Sequence, residues 1–229
     1  MGFLMQILVL GKGKTGSLVA EIAAERGHSV RALSGAENQH ASGLTAESLA
    51  SVDAVIDFTS ADATIENMTA VLGLGKRIVV GTTGWYDRLD EMKALAQKHN
   101  AGLLYGSNFS IGVQKLFRLT ADLAKLDGYT FSVDETHHVT KRDAPSGTAI
   151  TLKQIILGVR PDAQVEITSH RIADAKGEHI VTAIGQNDTL ELRHDAHSRR
   201  GFALGAVCGA EWLAGKSGCW EFRDIFDQM

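Results

Sequence analysis

Residues 5–16 read Met-Gln-Ile-Leu-Val-Leu-Gly-Lys-Gly-Lys-Thr-Gly, an apolar segment of strand length that ends on Gly11-x-Gly13-x-x-Gly16. Ser17–Arg26 then places Leu18, Val19, Ile22 and Ala23 on one helical face and stops at Gly27. Strand, glycine turn and helix in that order form the setting in which GxGxxG holds a dinucleotide. The glycines allow a tight turn and a close backbone approach to the pyrophosphate, and the helix N-terminus faces the anion. A P-loop is excluded, because Ser17 and Leu18 stand where lysine and Ser/Thr are required.

The alternation continues. Strands are predicted at His28–Leu33, Ala54–Thr59, Arg77–Gly81 and Ala101–Tyr105, with helices at Asp62–Leu72 and Arg88–His99. Buried-type strands alternating with helices imply a Rossmann-like, doubly wound parallel sheet. The pattern changes near Asn108. After a long amphipathic helix over Val113–Leu126, strands dominate at Tyr129–Thr136, Val165–Arg171, Ile180–Ile184 and Thr189–His194, interrupted only by a helix over Ser146–Val159. The expectation is an α/β chain with a second, mainly antiparallel α+β domain over 108–202. The first domain covers 1–107, and the apolar helix Phe202–Leu213 returns the segment 203–229 to it.

The 229 residues suffice for two modest cores. A net charge of −4 gives no basic face for nucleic acid or an anionic membrane. Met5–Leu10 is too short for a signal h-region or a membrane span, and no basic n-region precedes it. Cys208 and Cys219, in a stretch read as helix then loop, suggest neither a disulfide framework nor a zinc site. A reducing cytoplasm fits this composition. His137, His138, His179 and His194 could in principle cluster on a metal. The adjacent pair would point to opposite faces of a strand, so no metal site is expected.

An acid at the end of the second strand would bind a ribose 2′-hydroxyl and repel a 2′-phosphate. Val30-Arg31-Ala32-Leu33-Ser34-Gly35 offers none before Glu37, while Lys12, Lys14 and Arg31 offer cations. The expectation is therefore NADPH, with NADH accepted.

The chemistry concentrates at residues 134–149. His137 and His138 are residues of the type that can change protonation near neutral pH, and Lys141 adds a fixed cation. Pro145-Ser146-Gly147-Thr148 before an apolar run reads as a helix N-terminus, with Ser146 as N-cap and the amides of Gly147 and Thr148 facing outward. Acid/base groups, a cation and an anion cradle together suit a small carboxylate substrate that exchanges a proton.

Glu135 to Ala149 resembles the active-site signature of the dihydrodipicolinate reductase family, Glu-x-His-His-x-x-Lys-x-Asp-x-Pro-Ser-Gly-Thr-Ala, at every position. Asp57-Phe58-Thr59, Gly81-Thr82-Thr83-Gly84, Ser107-Asn108-Phe109-Ser110, Leu192-x-His194, Ser198-Arg199 and Phe202-Ala203-x-Gly205-Ala206 resemble other family segments. The glycine loop is one residue shorter than the family's usual Gly-x-x-Gly-x-x-Gly, and the stretch between Val159 and Glu178 is also short.

The resemblance implies reduction of the cyclic imine derived from 4-hydroxytetrahydrodipicolinate, in lysine and diaminopimelate biosynthesis. It implies His137 as general acid with Lys141 as second candidate. His138, Lys141, Ser146, Gly147 and Thr148 would hold the heterocyclic dicarboxylate. Gly11, Lys12, Gly13, Lys14, Thr15, Gly16, Ser34, Gly81, Thr82, Thr83, Gly106, Ser107, Asn108 and Phe109 would hold the cofactor. Domain closure and a homotetramer formed through the second domain's sheet are further implications. Another two-domain amino-acid dehydrogenase, or a dinucleotide sensor without turnover, stands as the alternative.

Overall fold

The computed structural model describes residues 4–229. The chain divides into two units, Met1–Ile111 with Arg200–Met229, and Gly112–Arg199. The first part contains β1 (Gln6–Leu10), α1 (Lys14–Glu25), β2 (Ser29–Leu33), β3 (Ala54–Asp57), α2 (Ala61–Gly73), β4 (Arg77–Val80), α3 (Leu89–Lys98) and β5 (Gly102–Tyr105). Next come α4 (Ile111–Leu123), β6 (Thr130–His137), α5 (Gly147–Val159), β7 (Val165–Arg171), β8 (Glu178–Ile184) and β9 (Thr189–Asp195). The chain closes with α6 (Arg200–Leu213), β10 (Gly218–Glu221) and the short α7 (Phe222–Ile225).

The first unit is built on a six-stranded sheet in the order β10-β5-β4-β3-β1-β2, parallel throughout. Its inner strands are covered on both faces, which explains their continuous apolar sequences. One face packs Ile7, Val9, Ile56 and Leu104 against residues of α1 and α6 such as Val19, Ile22, Ala206 and Ala210. The other packs Leu8, Val55, Ile78 and Leu103 against α2 and α3 through Met68, Leu72, Met92 and Ala96. Small residues let α6 lie close: a Cβ at Gly205 would stand 1.8 Å from the Phe109 carbonyl oxygen.

β10 lies where the sequence reads as loop. Its four residues are too few for a period to show, and its place is fixed by parallel pairing of Gly218–Glu221 with Gly102–Tyr105.

The second unit carries a four-stranded sheet, β7-β6-β8-β9. β8 runs antiparallel to β6 and β9, whereas β6 and β7 are parallel. The sheet is mainly antiparallel, as expected, with one parallel pair, β6 and β7, for which α5 is the crossover. Val133, Val181 and Ala183 pack beneath α4 and α5, against Phe117, Leu152 and Ile156.

Candidate active site

In the first unit the strand order reverses at β1, and ligands of such sheets bind beyond the carboxyl ends of the strands at this point. A pocket of about 360 Å³ lies there, lined by Gly11, Lys12 and Gly13 after β1, Leu33, Ser34 and Gly35 at β2, and Thr59 and Ser60 after β3. The three glycines have separate reasons. Gly11 has φ +96° and no room for a Cβ, which would stand 2.3 Å from the Phe58 carbonyl oxygen. A Cβ at Gly16 would stand 1.9 Å from the Gly11 carbonyl oxygen, so this glycine lets α1 approach the turn. At Gly13, the N-cap of α1, a Cβ would meet nothing within 4 Å. That open backbone at a helix N-terminus fits a pyrophosphate, and Lys14 and Thr15 begin the helix behind it.

Glu37 reaches back to the end of β2. Its carboxylate accepts from Lys12 Nζ at 2.7 Å, from Ser34 N at 2.7 Å and from Ser34 Oγ at 2.6 Å. The Lys12 ammonium and the Ser34 donors hold its pKa down at about 2. An acid does therefore stand at the end of the second strand, brought there by a turn of the chain.

Thr82 and Asp57 have framing roles. Asp57 is fully buried and accepts from Thr59 N (2.9 Å), Thr59 Oγ1 (2.7 Å), Thr64 Oγ1 (3.1 Å), Thr82 Oγ1 (3.0 Å) and Asn67 Nδ2 (2.8 Å). It thereby ties the loops after β3 and β4 to α2. Asn67 passes the link to Asn38, another lining residue. Gly81 sits under the Phe58 ring, and Thr83 is exposed after it. Gly106 and Ser107 follow β5, and Asn108 Oδ1 accepts from Ser110 N at 2.9 Å. The Phe109 ring is buried against Phe222, centroids 4.4 Å apart, which leaves only its backbone for a ligand. The sequence reading did not single out Thr59, Ser60, Asn38, Gln39 and His40 as pocket residues.

In the second unit His137 ends β6 and the signature loop runs on to α5. The Ala144–Pro145 peptide is cis. Ser146 is the N-cap of α5 as expected: its Oγ accepts from Ala149 N at 3.2 Å. Gly147 is exposed at the helix start, where a Cβ would meet nothing within 4 Å, and Thr148 follows half-buried. Lys141 Nζ donates to both Asp143 oxygens at 2.7 Å, and its backbone N donates to the His138 carbonyl. Thr140 Oγ1 and His138 Nδ1 lie 2.7 Å apart. His194, on β9, is half-buried, and Arg199 is exposed.

His137 Nδ1 is hydrogen-bonded to the Glu135 carboxylate. Burial lowers the His137 pKa, Glu135 opposes this, and the charges of Lys141 and Arg171 lower it further. The His179 ring meets the His137 ring edge-on at 5.0 Å and places Nε2 3.2 Å from Ser146 Oγ. Burial, above all, pushes its pKa down to about 3, so this ring is neutral. Glu135, His137 and His179 bring ligand-type atoms within 4.8 Å of one another, a spacing that could admit a metal ion. The guanidinium of Arg171, 2.9 Å from Glu135 Oε1, already supplies the positive charge that such an ion would bring. Glu135 was part of the sequence signature, but Arg171 and His179 became visible as neighbours only through strand register.

Residues 5–109 match the family described as Dihydrodipicolinate reductase, N-terminus, and residues 112–226 match Dihydrodipicolinate reductase, C-terminus. The 4-hydroxy-tetrahydrodipicolinate reductase of Christiangramia forsetii is 34% identical over 242 residues, covering 98% of this chain and 99% of that protein. That of Natronomonas pharaonis is 37% identical over 246 residues, covering 96% and 99%. The fold is shared with the dipicolinate-bound dihydrodipicolinate reductase of Paenisporosarcina sp. TG-14, at TM-score 0.81 and 23% identity over 97% of this chain and 100% of that one. With both halves matched and relatives spanning nearly its full length, the chain belongs to the dihydrodipicolinate reductase family.

Proposed function

We propose that this protein uses NAD(P)H to reduce the cyclic imine derived from 4-hydroxytetrahydrodipicolinate to tetrahydrodipicolinate, in lysine and diaminopimelate biosynthesis. The observation that carries this reading is the His137–Lys141–Ser146 constellation at the mouth of α5. It offers an acid/base group, a cation and a helix N-terminus within one short segment.

The backbone amides of Gly147 and Thr148, at the positive end of the α5 dipole, hold one carboxylate of the heterocycle, and Lys141 and His138 support it. Lys141 exchanges its Asp143 partner for the substrate anion. When bound, the nicotinamide supplies a hydride to the ring carbon C4. His137 then gives a proton to the adjacent carbon, with Lys141 as the alternative donor. The arriving dianion favours the protonated imidazole, offsetting the lowering by burial and the neighbouring cations.

Gly11–Gly16 would hold the pyrophosphate of the dinucleotide, Ser34 its adenosine ribose, and Gly81–Thr83 and Gly106–Phe109 its nicotinamide end. Glu37 suits a free 2′-hydroxyl and Lys12 a 2′-phosphate, so both NADH and NADPH serve. The first unit is the cofactor domain and the second the substrate domain. The second unit also forms the interface of a homotetramer. The edge strand β9 and the exposed Ile172, Ile184 and Leu190 favour a partner surface there. Among the described residues no helix is long and apolar enough to cross a membrane.

The test is a 340 nm assay with substrate generated in situ from pyruvate and aspartate semialdehyde by a synthase. Oxidation of NADPH or NADH that requires the synthase product supports the reading. Nucleotide binding without such oxidation would overturn it in favour of a sensor or another dehydrogenase.

A further inference from the structure

β6 and β7 pair in parallel with Glu135 opposite Ser169 and His137 opposite Arg171. Residues two apart on a strand share a face, so these four side chains stand together. The Glu135 carboxylate has no exposed surface. One oxygen is hydrogen-bonded to His137 Nδ1, the other faces the Arg171 guanidinium at 2.9 Å, and Ser169 stands opposite on β7. Arg171 is fixed in turn, donating to the Asp143 carbonyl at 2.6 Å. The carboxylate is therefore anchored from β7 and aimed at one nitrogen of one ring.

We propose that Glu135 is a positioning residue for this reduction: it holds the Nδ1–H of His137, presents Nε2 to the substrate, and stabilises the imidazolium that the proton transfer consumes. This rests on the reading of His137 as general acid. Gly177 lies beside the other nitrogen: a Cβ there would stand 3.3 Å from His137 Nε2, so glycine leaves more room at Nε2 than any other residue would. During the step, the Nε2–H bond breaks as the new C–H bond forms. The ring becomes neutral with Nδ1–H retained on Glu135, and solvent restores the proton. Burial pushes the Glu135 carboxyl up, but bonds from Arg171, Ser169 and His137 outweigh it and keep the group ionised. The other groups near His137 oppose its protonation: Lys141 from the loop and Arg171 from β7. His179 on β8 is neutral, and His194 lies beyond it on β9. Glu135 is the one anion among these named neighbours.

Two variants with opposite signs form the test. In Glu135→Gln the carboxylate charge is gone. We expect kcat to fall roughly 10- to 100-fold, less than the roughly 10²–10⁴-fold lost with a general acid itself. KM should change little, and the imidazolium pKa of His137, read by NMR on cofactor-free protein, should move down. Glu135→Asp should restore part of kcat. Arg171→Gln removes a cation, so the His137 pKa should move up and the falling limb of the pH–rate profile should follow. A merely structural role would not move the two variants in opposite directions. Folded Glu135→Gln with the wild-type His137 titration and kcat within twofold would overturn the proposal, as would a same-direction shift in Arg171→Gln. If Glu135→Gln does not fold, the Arg171→Gln titration decides. If His137→Ala kept its turnover while the titration shifts stood, the failure would lie in the assignment of the acid, not in the Glu135–His137 coupling.

Discussion

The Ser146 hydroxyl lies 3.2 Å from Nε2 of His179 while accepting the Ala149 amide, so a single oxygen caps α5 and joins it to β8. The amides proposed to bind substrate are held by this junction. Ser146→Ala is expected to cost about 1 kcal/mol, the usual value of a lost N-cap, and to lower the melting temperature by roughly 2–4 °C. Thermal denaturation followed by circular dichroism measures this, and an unchanged melt would show that the cap contributes nothing.

Gly13 and Gly16 separate binding from folding. Alanine at Gly13 meets no protein atom, so Gly13→Ala should keep its melting temperature and lose dinucleotide affinity by at least tenfold. Alanine at Gly16 collides with the Gly11 carbonyl, so Gly16→Ala should lose both stability and binding. Titration of cofactor fluorescence beside a thermal melt distinguishes them.

Cofactor choice should turn on Glu37. In Glu37→Gln, the anion that a 2′-phosphate would meet is gone and Lys12 is released. The ratio of kcat/KM for NADPH over NADH should rise roughly tenfold, on the order of the 1.4 kcal/mol that such a change represents. A ratio that stays fixed would place the ribose elsewhere.

His137→Ala should lose turnover by roughly 10²–10⁴-fold, whereas Lys141→Ala should also raise KM. The acid must be protonated to act. Its folded pKa is lowered, by burial first, so kcat/KM should be highest at acid pH and fall as pH rises through a midpoint below the ordinary histidine value. A profile flat from acid to neutral pH would argue against an imidazolium donor.

Much of this was legible in the residues. Continuous apolar runs marked β1, β3, β4 and β5 because both of their faces are covered, and the glycine turn marked the pocket at the end of β1. The helix start at Ser146 followed from Pro-Ser-Gly-Thr before an apolar run. What escaped depends on the pairing of distant segments. β10 is a strand because β5 offers it an edge. Arg171 and Ser169 meet Glu135 through a parallel register across α5, and no local spacing reports that register. Glu37 lies only three residues past Ser34, yet a turn brings its carboxylate to the end of the strand. The Phe109 ring, grouped with the cofactor loop by its motif, points into the core because Phe222 supplies a matching surface there.

The pairing of β10 with β5 also bears on synthesis. The last strand of the cofactor sheet, and the helix α6 that covers one of its faces, are encoded after the whole of the second unit. As the chain leaves the ribosome, β1–β5 emerge with an unpaired edge on β5 and an apolar face that still lacks α6, while Gly112–Arg199, a compact unit, is translated. The lining of the nucleotide pocket, between Leu10 and Asn67, is thus translated first, while the outer strand and helical cover of its sheet arrive last. A nascent chain arrested before Arg200 should hold its second unit folded, remain open to proteases in its first, and depend on chaperones until the segment from Arg200 onward arrives.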